Sequence, residues 1–346
     1  MFKNYNYKLI SIYRTPLMGI AILWVAFFHS TIDLSSIPIL FIVKKIGYGG
    51  VDIFLMLSGL GLYYANQKYK NTVFFYKKRL LRIMPIYLPV VFMFGILYLI
   101  TGKMSIGELI MNLTTLSFWL NTKNQFDWYI PSLIILYLIT PIFLYFFEHK
   151  NKYIVTGIAI SSAILLSVMI SSSSIQYLLI FTTRIPIFLI GIFVGYWINV
   201  GKECNKSSLI LNFIMLILGL STLFISLIYL KYYVPIYGLA WYPFILITLP
   251  MCMIATMVLQ YITKFKVFKL MFLTFCGTHS LEIYLFHERI LNLANHIWKY
   301  ISFDKYKLVL NLICFITTLI MAYIWKKIID YFLIDRIKQK VKDLPM

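Results

Sequence analysis

The chain alternates between long apolar runs and short polar connections. Ten runs have the length of a membrane-spanning helix, which is about 20 residues. Within each run the apolar residues are continuous rather than alternating, so helices are predicted. The predicted helices are 15–32, 46–65, 83–100, 128–147, 153–170, 177–200, 208–230, 237–261, 270–293 and 308–332. The stretch Met104–Leu120 is less apolar and carries Glu108, which favours an interfacial or re-entrant helix over an eleventh span.

The composition agrees with a membrane protein. Hydrophobic residues make up 61% of the 346 residues and charged residues 13%, against about 45–50% and about 25% in soluble domains. No long linker or repeat interrupts the pattern. We therefore predict an all-α, polytopic integral membrane protein with about ten transmembrane helices, forming a single domain over residues 1–346.

The positive charges follow the predicted topology. About two thirds of the 32 Lys and Arg residues lie in the segments that are cytoplasmic if the N-terminus is inside. Both termini are thus expected in the cytoplasm. The formal net charge of +20 is explained by topology and by contact with the lipid bilayer, so it predicts no nucleic-acid partner.

Five charged or titratable side chains fall inside the predicted spans. Each costs at least ~2.5 kcal/mol to insert, which makes it a candidate for function. At 1.5 Å per helical residue, all five lie ~20–27 Å from the cytoplasmic ends of their helices. This shared depth predicts one polar layer in the outer half of the membrane, formed by His29, Asp52, Arg184, Glu282 and His287.

His29 is a candidate general base, because a carboxylate beside an imidazole orients the ring and raises its basicity. Asp52 and Glu282 are the two candidates for that carboxylate. The alternative is a histidine that only packs against a neighbouring helix. A metal site has little support, since His287-Glu288 lacks the second histidine of a zinc-binding helix.

A basic run enters the third predicted span. Arg79 and Arg82 are three positions apart and share one helix face. Two guanidinium groups on one face can bind phosphates, whereas the alternative is anchoring at the cytoplasmic surface. Ser58 and Gly59 lie in a glycine-rich part of the second span, where small residues permit close helix packing or leave room for a substrate passage.

Taken together, these motifs resemble the membrane-bound acyltransferase family 3, the bacterial O-acyltransferases that modify cell-surface glycans. Five stretches carry the resemblance, in the family's order, and Arg184 with Phe188–Gly191 is a sixth. They are Met18–Ile22 with Phe28-His29, Gly49–Phe54 with Leu57-Ser58-Gly59, Arg79–Ile83 with Pro85, Asp127-Trp128-Tyr129 with Tyr137 and Pro141, and Ser280–His287.

The resemblance implies a ten-span enzyme of the bacterial plasma membrane. It would move an acyl group, most often acetyl, from cytoplasmic acyl-CoA (acetyl-CoA) to a hydroxyl of a cell-surface or lipid-linked polysaccharide. His29 matches the family's essential histidine and Asp52 its aspartate, while Glu282 lies where the family has an acidic residue. The donor-binding positions are Arg79, Arg82, Ser58 and Gly59.

One departure concerns the first span, where Met18 occupies the position of a family arginine; Arg14, one helical turn away, is a candidate replacement. Trp128, Tyr129, Arg184, His287 and Arg14 are the expected substrate-binding residues. Direct transfer and an acyl-enzyme on Ser58 or Tyr129 both stay open. The rival functions are a transporter of a lipid-linked glycan or small anion, and an acyl-moving partner of a separate transferase.

Overall fold

A computed structural model describes residues 6–69, 71–228, 240–264, 270–298 and 307–334. Within these ranges the protein is built of helices, and the only β contact is an isolated bridge between Asn6 and Glu203. The helices are α1 Lys8–Ile12, α2 Arg14–His29, α3 Pro38–Lys45, α4 Gly49–Lys68, α5 Thr72–Ile100, α6 Ile106–Leu113, α7 Leu116–Trp119, α8 Tyr129–His149, α9 Lys152–Ser171, α10 Leu179–Thr182, α11 Ile185–Asn199, α12 Lys206–Ile228, α13 Pro243–Lys264, α14 Met271–Thr278, α15 Ser280–Trp298 and α16 Lys307–Ile329.

Seven stretches of the described chain are helical, long and apolar enough to cross a membrane. They are Thr72–Ile100, Tyr129–His149, Lys152–Ser171, Gln176–Asn199, Lys206–Ile228, Pro243–Lys264 and Lys307–Phe332. The protein is therefore an all-α, polytopic membrane protein. The helices α2, α4 and α14–α15, which carry the polar side chains, are shorter or less apolar, so the count of ten spans and the cytoplasmic position of both termini stay predictions.

Two of the predicted spans are divided. The sixth contains a 3₁₀ turn at Gln176–Leu178, then α10, and α11 begins only after Arg184. The ninth is broken at His279, between α14 and α15. Periodicity does not reveal such breaks, because the residues on both sides of each break remain apolar.

The other differences lie at helix ends. The helix of the third predicted span, α5, begins at Thr72, before the basic run. It begins there because the Asn71 side chain accepts hydrogen bonds from the N–H groups of Val73 and Phe74. Met104–Leu120 forms two short helices, α6 and α7, instead of one. The eighth predicted span starts at 237, in part outside the described residues.

Helix α4 lies at the centre of the packing and is buried along most of its length. A Cβ at Gly59 would lie 2.2 Å from the carbonyl oxygen of Phe188, and one at Gly191 would lie 2.0 Å from that of Met56. Small residues allow this close approach of α4 and α11. Helices α2 and α14 meet in the same way through Gly19 and Gly277.

Candidate active site

Three arginines from two helices line one cleft, here called the arginine cleft. Arg14 comes from the first turn of α2, and Arg79 and Arg82 come from one face of α5. The empty space of the cleft, including the part that is open to the outside, is about 700 Å³. Ser58, Tyr129, Tyr137 and Tyr284 are among its other lining residues.

The arginines of this cleft have unused hydrogen-bonding capacity. Arg14 donates from Nη2 to the carbonyl oxygen of Leu57 at 3.2 Å, while the Nε atoms of Arg14 and Arg79 are buried without a partner. Met18, one turn after Arg14, faces the same cleft. Arg14 therefore places a guanidinium in the region that the Met18 position faces, and the three cations fit an anionic, phosphate-bearing ligand.

His29, at the other end of α2, lines a second and larger space, here called the histidine cavity. Its empty space, including the part that is open to the outside, is about 1490 Å³. Besides His29, its walls include Lys45, Tyr48, Asp127, Trp128, Arg184, Trp241, Glu288 and Arg289. Aromatic faces combined with charged groups of both signs give this wall both apolar surface and hydrogen-bonding groups for a ligand.

Arg184 and Asp52 form a buried ion pair, with 3.7 Å between Nε and Oδ2. The break before α11 places Arg184 at this depth, where it also donates from Nη1 to the carbonyl oxygen of Ile180. Its guanidinium lies 5.1 Å from the Trp128 ring centroid and 5.0 Å from that of Trp241. Both tryptophan rings are within cation–π range of this cation.

From the sequence, Asp52 is expected to orient the His29 ring, whereas Asp52 pairs with Arg184. No hydrogen bond joins His29 and Asp52, which both belong to the described part of the chain. Instead, the His29 ring packs against that of His287, with 5.1 Å between the centroids in a T-shaped arrangement. The end of α2 meets the middle of α15 at this contact, since His29 is the last residue of α2 and His287 lies inside α15.

Glu282 lies apart from this group. It is buried and faces α16, where its Oε1 is 3.7 Å from Lys326 Nζ. Among the described lining residues, it belongs neither to the arginine cleft nor to the histidine cavity. Gly59 also lies outside the arginine cleft, because it packs in the contact between α4 and α11. Its neighbour Ser58 lines the arginine cleft.

Val51 and Tyr284 line both the arginine cleft and the histidine cavity, so the two spaces share a wall. Tyr284 donates from its hydroxyl to Asp127 Oδ1 at 2.6 Å. Asp127 also accepts from the N–H groups of Tyr129 and Ile130, at 3.0 and 2.7 Å. Burial raises the pKa of the Asp127 carboxyl, while these three hydrogen bonds act in the opposite direction.

Sequence reasoning did not single out Tyr284, Trp241 or Glu288 as site residues. The i, i+4 spacing of Tyr284 and Glu288 on one helix face was the available signal for that pair. No comparable local signal marks Trp241. Among the described residues, no three His, Cys, Asp or Glu side chains are grouped so as to hold a metal ion.

Comparison with known proteins assigns the chain to a family. The model of the acyltransferase family 3, described as an acyltransferase domain, matches residues 17–326. Since the match covers most of the chain, the protein belongs to this family and is a multi-pass membrane acyltransferase. The search of curated proteins and the search of solved structures found no match.

Proposed function

We propose that the protein is an O-acetyltransferase that uses cytoplasmic acetyl-CoA to acylate a hydroxyl of a cell-surface or lipid-linked polysaccharide. The observation that carries the proposal is the placement of Arg14 and His29 at the two ends of α2. They are ~22 Å apart along the helix axis at 1.5 Å per residue, and the cavities that they line share Val51 and Tyr284.

The arginine cleft supports binding of the donor. Arg14, Arg79 and Arg82 would hold the phosphates of coenzyme A, and the two buried Nε atoms would gain partners. Ser58 and Tyr129 line the same cleft as these arginines. When bound, the donor supplies a thioester carbonyl.

The histidine cavity supports binding of the acceptor. Trp128 and Trp241 offer aromatic faces to a sugar ring, and Glu288 and Arg289 offer hydrogen-bonding partners. Arg184 is a positioning residue for both tryptophans, and Asp52 neutralises the charge of Arg184. Asp52 would then act through Arg184 and would not contact the reacting groups.

In the proposed step, His29 takes the proton from the acceptor hydroxyl. The hydroxyl oxygen forms a bond to the carbonyl carbon, the carbon–sulfur bond breaks, and His29 returns the proton to the departing sulfur. Atoms and charge balance without a redox partner or a metal. The proposed location is the bacterial plasma membrane, with both termini in the cytoplasm.

Mass spectrometry of surface glycans tests this function in cells that express the wild type, His29→Ala or Arg79→Ala at equal membrane levels. We expect an acetyl-sized mass increment in the wild type that is lost in His29→Ala and strongly reduced in Arg79→Ala. An increment in all three would reject the site. No increment in any would reject the acetyltransferase in favour of transport.

Reconstitution distinguishes transfer by this protein alone from transfer that needs a partner protein. Purified protein in liposomes, given labelled acetyl-CoA and a protein-free extract that contains the glycan, is expected to form the ester by itself. Ester formation only after a second protein is added would favour the acyl-moving partner.

A further inference from the structure

The arginine cleft and the histidine cavity meet along one face of α4. The residues that line the two spaces from this helix and its N-cap follow one another at spacings of three or four positions, and they are Tyr48, Val51, Phe54, Ser58 and Leu62. Such spacings place side chains on one side of a helix. Tyr48 lines the histidine cavity, Val51 lines both spaces, and the other three line the arginine cleft. This face of α4 therefore runs from one space into the other, with Val51 at the junction.

Helix α15 has the same arrangement. Ser280 and Leu281 line the arginine cleft, and Glu288 and Arg289 line the histidine cavity. Tyr284 lies between these two pairs and lines both spaces. Spacings of three and four positions again place the side chains on one side of the helix. Val51 and Tyr284, here called the shared wall, are thus the junction on two separate helices.

The Val51 side of the shared wall is closely packed. A Cβ at the neighbouring Gly50 would lie 2.5 Å from the carbonyl oxygen of Ala21, so α4 contacts α2 directly beside Val51. Val51 is 6% exposed, and a β-branched side chain has little rotational freedom in a helix. Val51 therefore has little room to move away from a bulky ligand.

The Tyr284 side of the shared wall is held by three contacts. Its hydroxyl donates to Asp127 Oδ1 at 2.6 Å. Its ring centroid lies 5.2 Å from that of Tyr129 and 5.8 Å from that of His287. The shared wall is thus fixed from both helices. A packed apolar site distinguishes ligands that differ by one methylene by about 10–200-fold.

The chemistry of the donor decides which of its parts meets the shared wall first. The three arginines of the arginine cleft would hold the phosphates of coenzyme A, as in the proposed function. The acyl group is at the opposite end of the donor, beyond the sulfur. It therefore reaches the shared wall before the thioester carbonyl can approach His29 in the histidine cavity.

We propose that Val51 and Tyr284 determine the size of the acyl group that the protein transfers, so that acetyl passes the shared wall and butyryl is rejected there. Both are specificity-determining residues and take no part in the bond changes. This inference rests on the proposed function, and it assigns the selection of the acyl group to two side chains.

The wild type gives the first test. Purified full-length protein in liposomes receives a protein-free extract that contains the glycan, with labelled acetyl-CoA or butyryl-CoA. We expect kcat/KM for butyryl transfer to be at least ~100-fold below that for acetyl transfer. Equal transfer of both acyl groups would overturn the inference and leave the transferase intact. Absence of acetyl transfer would instead reject the proposed function.

Two variants widen the shared wall. Val51→Ala removes both γ-methyl groups, and Tyr284→Leu replaces the ring by a smaller side chain. We expect each to raise the butyryl-to-acetyl ratio of kcat/KM at least ~10-fold, at equal amounts of folded protein. If one variant folds poorly, the other decides. An unchanged ratio in a folded variant would overturn the inference.

Val194→Ala is the matched control for Val51→Ala. Val194 is a buried residue of α11 and belongs to neither set of described lining residues. The same two methyl groups are removed, so general loosening of the helix packing is reproduced away from the shared wall. We expect the butyryl-to-acetyl ratio to stay at the wild-type value. A rise equal to that of Val51→Ala would overturn the inference.

Inhibition of the wild type by butyryl-CoA locates the step at which the acyl group is rejected. The arginine cleft would bind the coenzyme A part of both donors. Butyryl-CoA should therefore compete with acetyl-CoA, with an inhibition constant within about tenfold of KM for acetyl-CoA, although its acyl group is poorly transferred. Failure to inhibit would mean that butyryl-CoA is excluded before the shared wall, and it would overturn the inference.

Discussion

Arg184 Nε lies 3.7 Å from Asp52 Oδ2, and the two side chains are 1% and 2% exposed. The pair joins α4 to the break that precedes α11. Because Arg184 also contacts Trp128 and Trp241, the carboxylate of Asp52 supports one wall of the histidine cavity. Removal of the Asp52 carboxylate should therefore lower the stability of the fold, which loss of a purely catalytic carboxylate would not do.

Asp52→Ala is expected to destabilise the protein by about 3–5 kcal/mol, because it leaves a buried guanidinium without its counter-ion. The double variant Asp52→Ala with Arg184→Met should recover most of this loss, since both charges are then removed. Unfolding in detergent micelles, followed by intrinsic fluorescence, measures both changes. A double variant as unstable as the single one would contradict the pairing.

Substitution of Arg14 is expected to weaken donor binding. Hydrogen bonds to charged groups contribute about 1.5–3 kcal/mol each, so Arg14→Ala and Arg79→Ala should each raise KM for the donor ~10–100-fold. Initial rates at varied acetyl-CoA measure this effect. Lys77→Ala is the matched control, because Lys77 is exposed on α5 and outside the arginine cleft. An equal effect of Lys77→Ala would indicate general charge attraction.

Gly59→Ala is expected to destabilise the protein, by roughly 1–3 kcal/mol, because the new methyl group would collide with the backbone of α11. Gly157→Ala on α9 is the control, since a Cβ there meets no atom within 4 Å. That change should stabilise the helix by about 0.5–1 kcal/mol. Thermal unfolding of both variants measures the difference. A stable Gly59→Ala protein with a raised KM for the donor would favour donor binding at this position.

Glu282→Gln is expected to lower stability rather than chemistry, because Glu282 pairs with Lys326 and lines neither cavity. Removing one side of a buried charge interaction costs about 1–3 kcal/mol. The rate per folded molecule should stay within about tenfold of the wild type. Single-turnover rates on purified protein test this, with His29→Ala as the inactive reference. A Glu282→Gln enzyme as inactive as His29→Ala would restore the catalytic role.

Tyr284→Phe removes the hydroxyl that donates to Asp127 and keeps the aromatic wall between the two cavities. We expect a loss of about 1–3 kcal/mol in stability, because the buried carboxylate loses a donor. Denaturant unfolding measures it. Asp127→Asn combined with Tyr284→Phe should cost less than the sum of the two single changes. Full additivity would contradict the coupling of these residues.

The sequence by itself determined the helical membrane class, because continuous apolar runs of this length permit few other structures. It also brought Arg79 and Arg82 to one side of α5, since a spacing of three fixes the face of a helix. The polar positions His29, Asp52, Arg184, Glu282 and His287 were evident because charge is costly among apolar residues.

Only the tertiary structure decided which of these five side chains meet. Equal depth along separate helices does not define how each helix is rotated or where it is broken, and those two properties select a partner. The breaks before α11 and between α14 and α15 therefore paired Arg184 with Asp52, His29 with His287, and Glu282 with Lys326. Packing of α2 between two cavities then placed Arg14 at one site and His29 at the other.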